Sequence, residues 1–306
     1  NATQHQYRFT SSQVRFDLRS AFVNLLYAQE LVHVTEEIIK IRRDNLILIT
    51  LSYESGLEHK GALLTAQADL AEAEFERAQA TRNLEVAQRQ LVTAMGRSTL
   101  TPVQVTGDFL VATANLEKPD FESIAKENPS LKQMIAKENV AALNIKAAYA
   151  SFFPTISAQT GVGKAGDRWT PRDDEWNLGV GLSVPLFEGG LKTAQLDQAK
   201  AALRQAKAKT KSTSDNIVAT LEETWANLQD AAQSVDVQKK VLAAAQERSN
   251  IAEAQYGVGF ISYDNWSIIE DNLVQYKKAY LTAQANALLA EAQWIQAKGE
   301  TLEYAK

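Results

Sequence analysis

Three histidines, His5, His33 and His59, are the side chains of this sequence best suited to hold a metal ion. They are scattered, and none is joined by a second histidine at metal-site spacing. Each reads as a surface residue; His59 falls in a turn, where it would at most tune docking with pH. Carboxylate pairs that could do acid–base work occur at Glu36–Glu37, Glu222–Glu223 and Asp173–Asp174. They fall on solvated helix faces or in a loop, whereas a catalytic dyad needs a pocket. The Lys207, Lys209, Lys211 run alternates with small residues and reads as a solvated helix face. The chain has no cysteine, so thiolate nucleophiles, thiolate metal sites and disulfides are excluded. No phosphate-cradling glycine loop and no Gly-x-Ser-x-Gly elbow is present. The expectation is a protein that is not an enzyme and uses neither cofactor nor metal. Its formal net charge of −5 is spread as mixed signs, which offers nucleic acid no basic face.

What remains is architecture, and glycine and proline mark it out. Neither occurs from Asn1 to Ser55, from Ala62 to Met95, from Leu191 to Tyr256 or from Phe260 to Lys298. These segments are rich in Ala, Leu, Gln, Glu, Lys and Arg, the strong helix formers. A helix over Leu191–Tyr256 would be about 100 Å long at about 1.5 Å per residue, more than a compact globule of this mass requires. Such helices must bury their apolar stripes along neighbouring helices. The first stripe is Val14, Leu18, Phe22, Leu25, Tyr27–Ala28 and Val32, in steps of three and four. The alanines between Ala279 and Ala292 permit close helix approach. The expected fold is mainly α, with very long antiparallel coiled-coil helices; an ordinary helical bundle is the plainer alternative, and helix length speaks against it. No apolar run approaches the roughly 20 residues of a membrane-spanning helix.

The chain repeats itself without a gap at an offset of 203 residues, as from Leu18 to Leu221 and from Phe22 to Trp225. Asn24–Leu25 match Asn227–Leu228, Ala28 matches Ala231, and Val32 matches Val235. Tyr53 and Gly56 match Tyr256 and Gly259, Asn83 matches Asn286, and Gly96 matches Gly299. Such register over about 80 residues implies two copies of one helix–turn–helix unit. Residues 141–203 of the second copy have no counterpart, because Ala2 already corresponds to Gln205. The natural protein is therefore expected to extend about 60 residues upstream and to hold a second strand pair there. The start at Asn1, without a charged and apolar leader, likewise reads as a processed or truncated product.

Between the helical segments, Ile156, Ala158, Thr160 and Val162 alternate with Thr155, Ser157 and Gln159. After a polar loop, Lys164 to Glu175, Leu178, Val180, Leu182 and Val184 alternate with Asn177, Gly179, Gly181 and Ser183. One apolar face and one small or polar face, about 10 residues per strand, is the pattern of a membrane β-barrel hairpin. Trp169 and Trp176 flank the loop, as interface aromatics do. A soluble hairpin packed on helices is the alternative; the long duplicated helices favour the barrel.

Phe153-Pro-Thr-Ile156 with Gly161, the run from Leu178 to Gly190, Tyr53-Glu-Ser-Gly56, Tyr256-Gly-Val-Gly259 and Asn128-Pro-Ser-Leu131 follow one another in a specific order and spacing. Through them the sequence resembles the TolC family of outer-membrane efflux proteins over essentially the whole chain. The resemblance implies a homotrimer in the outer membrane and periplasm of a Gram-negative bacterium. A twelve-stranded barrel in outer-membrane lipid, four strands per protomer, would stand above a helical barrel. Substrates would pass passively from an inner-membrane pump, linked through a periplasmic adaptor (a membrane fusion protein), in tripartite efflux or type I secretion. Residues 1–97 would be a first helical-hairpin repeat lacking its strand pair, and 98–140 an equatorial connector. Residues 141–306 would be the second repeat, with a β-hairpin at 152–187 and a helical hairpin at 191–298.

The resemblance also assigns sites. Tyr53, Gly56, Leu57, Tyr256, Gly259 and Phe260 would form the periplasmic tips that meet the adaptor. Ile261, Asp264, Asn265, Trp266 and Ile268 would line the entrance gate. Ile156, Val162, Trp169, Trp176, Leu178, Val180 and Leu182 would face the membrane. The gate departs from the family's namesake: Asn265 and Ile268 stand where it has entrance aspartates, Ile261 where it has a bracing arginine, and Gly61 and Ala62 where their partners lie. Asp264, Glu270 and Asp271 are the nearest alternative carboxylates, so closure is expected from packing of Phe260, Ile261 and Trp266. A non-channel periplasmic adaptor or scaffold is the alternative function. Three copies of a single hairpin would give too few strands for the expected barrel, so this chain alone is expected to be non-conducting and could even be soluble and monomeric.

Overall fold

A computed structural model of the chain describes residues 2–97, 101–109, 117–165, 169 and 173–302. It is mainly α-helical with one antiparallel strand pair. The helices are α1 (Ala2–Glu54), α2 (Lys60–Ala94), α3 (Phe121–Glu127), α4 (Pro129–Ala150), α5 (Leu191–Gly257) and α6 (Tyr263–Ala297). The strands β1 (Thr155–Ala165) and β2 (Asp173–Ser183) lie between α4 and α5.

The internal repeat is visible in the helix boundaries. Both α2 and α6 have 35 residues, and each boundary of α6 lies one repeat offset after that of α2. Their C-terminal stops match too. Gly56, Gly96, Gly259 and Gly299 all adopt positive φ, between 70° and 80°. In each case the next residue's N–H returns to the carbonyl five positions back: Leu57 to Ser52, Arg97 to Val92, Phe260 to Gln255 and Glu300 to Ile295. These are Schellman stops, where glycine avoids the left-handed penalty that a Cβ would impose.

The chain divides into two compact units. One comprises residues 6–129 and 217–306. In it α2 buries Ala66, Ala73, Ala80 and Ala87, a seven-residue repeat of small side chains that permits close helix packing. Ion pairs run antiparallel between α1 and α6, Arg19–Glu291 at 2.5 Å, Glu37–Lys277 at 2.6 Å and Arg42–Asp271 at 2.5 Å, and Arg15 meets Glu300, just past the end of α6, at 3.2 Å. Near the C-terminal end of α6, Phe121 of α3 packs edge-on against Trp294, which also meets Trp225 at 5.2 Å. The stretch 101–109 is tied to α1 by Gln29, whose amide both donates to and accepts from the Val105 backbone at 2.9 Å.

The other unit comprises residues 1–5 and 130–216 and carries the strand pair. Lys192, at the start of α5, donates to the Ser151 carbonyl at 2.6 Å, tying α5 to the end of α4. The register pairs Ile156 with Leu182, Ala158 with Val180, Thr160 with Leu178 and Val162 with Trp176. Pairing runs further than the sequence pattern suggested. Lys164 and Asp174, read as loop, are cross-strand partners joined by a 3.3 Å ion pair, because opposite charges directly across a ladder stabilise it. Residues 166–168 and 170–172 of the expected loop lie outside the described residues.

Candidate functional site

The two helix–helix turns come together at one end of the α1–α2 and α5–α6 pairs. A shared core holds Ile49 of α1, Ala62 and Ala66 of α2, Ala252 and Tyr256 of α5, and Tyr263 and Trp266 of α6. Tyr256 lies flat on Trp266, centroids 4.8 Å apart, and Tyr263 meets the same indole edge-on. Tyr256 Oη also donates to Glu58 Oε1 at 2.9 Å, linking the second copy to the first turn. Burial, and then the Glu58 carboxylate accepting that proton, push the Tyr256 hydroxyl up to about 12. The repeat is asymmetric here. Tyr53, equivalent to Tyr256, is exposed, because Leu63 stands where the second copy has Trp266.

The expected tip residues fall into two groups. Leu57 is 81% exposed and Phe260 80%, and with Val258 they give the turns an unpartnered apolar rim. Gly56 and Gly259 reverse the backbone behind that rim. Of the expected gate residues, Asp264, Asn265 and Ile268 are exposed and Ile261 is half-buried. Ile261, Asn265 and Ile268 line a groove of about 690 Å³ between α5 and α6, together with Ile251 and Ile269. Trp266, also expected at the gate, is 2% exposed and held between Tyr256 and Tyr263 in the core of the turn. Glu270 also departs from expectation. It is buried, accepts from Ser249 Oγ at 2.5 Å, and is raised above the usual carboxylate range chiefly by burial.

Sequence reasoning missed the polar joint behind this core. Arg42 of α1 holds Asp271 of α6 at 2.5 Å and reaches Asp69 of α2 at 3.9 Å. Burial raises Asp69 above its ordinary value, with Arg42 opposing and Asp271 adding to the rise. Nothing local could have signalled this joint, since its members come from three helices. His59 was also more than a surface residue: its Nδ1 accepts from the Ala62 N–H at 3.1 Å and caps α2, the place Ser262 takes before α6. Among the described residues no group of His, Cys, Asp and Glu could hold a metal ion, and no helix is long and apolar enough to cross a membrane.

On the strand pair, Ile156, Val162, Trp176, Leu178, Val180 and Leu182 all project to one face and are exposed, and Trp169 is exposed beyond it. The opposite face pairs Ser157 with Gly181, Gln159 with Gly179 and Gly161 with Asn177. A face so apolar, left open to the surroundings, needs an apolar partner.

A family profile described as outer membrane efflux protein matches residues 121–300. The outer membrane efflux protein BepC of Brucella suis is 24% identical over 302 residues, 93% of this chain and 65% of that protein. The cation efflux system protein CusC of Escherichia coli is 23% identical over 256 residues, 82% of this chain and 55% of that one. The chain thus spans somewhat more than half the length of these relatives. A membrane protein of Pseudomonas aeruginosa superposes with a TM-score of 0.84 at 17% identity, covering 100% of this chain and 70% of its own. The CmeC outer membrane channel of Campylobacter jejuni superposes at 0.80 and 17% identity, over 100% and 66%. The profile takes in the amphipathic hairpin and the whole second tip, more than half of the sequence, and on that match the chain belongs to the outer membrane efflux protein family.

Proposed function

We propose that this chain is the larger part of one protomer of an outer-membrane efflux duct. It acts in a homotrimer, conducts substrates passively from an inner-membrane pump through a periplasmic adaptor, and catalyses no reaction. The observation that carries the reading is the hairpin's continuous exposed apolar face. From Phe153 to Val162 an extended chain covers roughly 30 Å, or about 23 Å of height at a tilt of about 40°, close to the apolar band of membrane barrels. Trp176 stands at one end of that face, and Phe153 and Phe187, both exposed, lie beyond the other. Gly161, Gly179 and Gly181 keep the opposite face small and polar, which suits a water-filled lumen. Family membership gives the adaptor or scaffold alternative no support.

At the tips, the Leu57, Val258 and Phe260 rim is the surface for the adaptor, and Phe260 with Ile268 closes the entrance by apolar contact. Asp264 is the carboxylate left to face the entrance, since Glu270 is bonded to Ser249 and Asp271 to Arg42. Single-channel recording of the intact membrane-extracted protein tests this. Phe260→Ala and Ile268→Ala, both at exposed positions, are expected to raise conductance. Wild-type conductance in both would remove the apolar gate, and the absence of channels from the wild-type protein would remove the duct itself.

A further inference from the structure

Behind the tip core lies a small cavity lined by Arg42 and Asn45 of α1, Asp69 of α2, and Tyr263, Trp266 and Ser267 of α6. Its space for the centre of a water-sized sphere is about 10 Å³, the room of one water molecule. Trp266 Nε1 is buried and has no acceptor among the described residues. A buried N–H left in that condition costs about 1–3 kcal/mol. Here the indole borders a polar hole in a residue otherwise 2% exposed.

The walls restrict the occupant's chemistry. Indole N–H is a donor only, so the occupant must accept a hydrogen bond. The Asp69 carboxylate on another wall requires it to donate one. An anion would meet Asp69, with Asp271 and Glu270 close to the same guanidinium. A metal cation would meet the Trp266 N–H and Arg42, both positive toward the cavity. A neutral molecule of one heavy atom that donates and accepts satisfies every wall. We propose that a single water is a built-in ligand of the tip, accepting from Trp266 Nε1–H and donating to the Asp69 carboxylate. It ties the α1–α2 hairpin to α6, so separating the two hairpins must also release it. The inference rests on the cavity alone and stands whether or not the tip acts as a gate.

Two measurements on the full chain test it. With ¹⁵N-indole tryptophan, the Trp266 Nε1–H resonance is expected to show cross-relaxation to a long-lived water, and Asp69→Leu is expected to abolish it. Replacing Trp266 by β-(3-benzothienyl)alanine keeps the ring's shape and removes only the donor. Loss of a bridging water should then lower Tm by at least about 2 °C. An unbridged indole predicts the reverse, because the replacement deletes an unsatisfied donor and leaves Tm unchanged or higher. That result, or an indole proton without a water contact in the unmodified chain, overturns the proposal. If the replaced chain does not fold, the resonance of the unmodified chain decides alone.

Discussion

Replacing Arg42 by methionine keeps the packed stem and removes a cation shared by Asp271 and Asp69. The size of the loss follows from exposure. An ion pair open to water is worth about 0.2–1 kcal/mol, whereas stripping one partner from a fully buried pair costs about 3–5 kcal/mol. Arg42 has an 11% exposed side chain but Asp271 a 47% exposed one, so water rescues much of the orphaned carboxylate. The cost should be about 2 kcal/mol, with Asp271 solvated and Asp69 and Glu270 bearing the rest. Hydrogen exchange reads this locally: backbone amides flanking Ile49, Ala66 and Trp266 should exchange about 30-fold faster, because each 1.36 kcal/mol is tenfold. Amides around Phe121 and Trp294, at the other end of the helices, should not change. Tip exchange within about threefold of the unsubstituted chain would refute the view that Arg42 holds the hairpins together.

The packed tip should tighten on acidification. Asp69 and Glu270 both have raised values in the fold, so the stability they contribute is complete below ordinary carboxylate values and is lost as pH rises through their raised ones. Glu270→Gln, still able to accept from Ser249, should therefore raise Tm at pH 8 and leave it unchanged at pH 4; a shift equal at both would contradict the burial argument. The repeat-related glycines should diverge on substitution. Gly96→Ala meets no atom within 4 Å and should cost only the left-handed penalty of about 1–2 kcal/mol. Gly299→Ala would set its Cβ 2.4 Å from Pro129 Cδ and should cost about 1–3 kcal/mol more in urea unfolding. Tyr256→Phe keeps the stack on Trp266 and removes the hydroxyl that bonds Glu58 and Ser52, for about 1 kcal/mol. Glu58→Ala, which removes the acceptor, should produce a similar change in exchange at the first turn, and a double variant no worse than either single one identifies the bond as the shared cause.

Elements set by periodicity and punctuation were legible in the sequence, and elements set by long-range contacts were not. Glycine and proline positions gave α1, α2, α5 and α6 nearly to the residue, because a Schellman stop writes its glycine into the chain. Alternation gave the strand pair and its apolar face, though Lys164 and Asp174 read as loop because charged residues break an apolar pattern without breaking a ladder. At the tips the turns were found and the roles of their aromatics were not. Nothing beside Trp266 announces that Tyr256 and Tyr263 enclose it, and Phe260, close by in sequence, stays outside. The Arg42 joint had no local signature at all, its partners being 27 and 229 residues away along the chain.

The proposed duct sets one face of the strand pair against lipid. Nitroxides placed singly at residues 177–182 and 156–161 of the membrane-inserted protein test it by their accessibility to oxygen and to a water-soluble nickel chelate. Positions 156, 158, 160, 178, 180 and 182 should be oxygen-accessible and shielded from the chelate, and positions 157, 159, 161, 177, 179 and 181 the opposite. Accessibility without a two-residue period, or chelate reaching both faces alike, would contradict the claim.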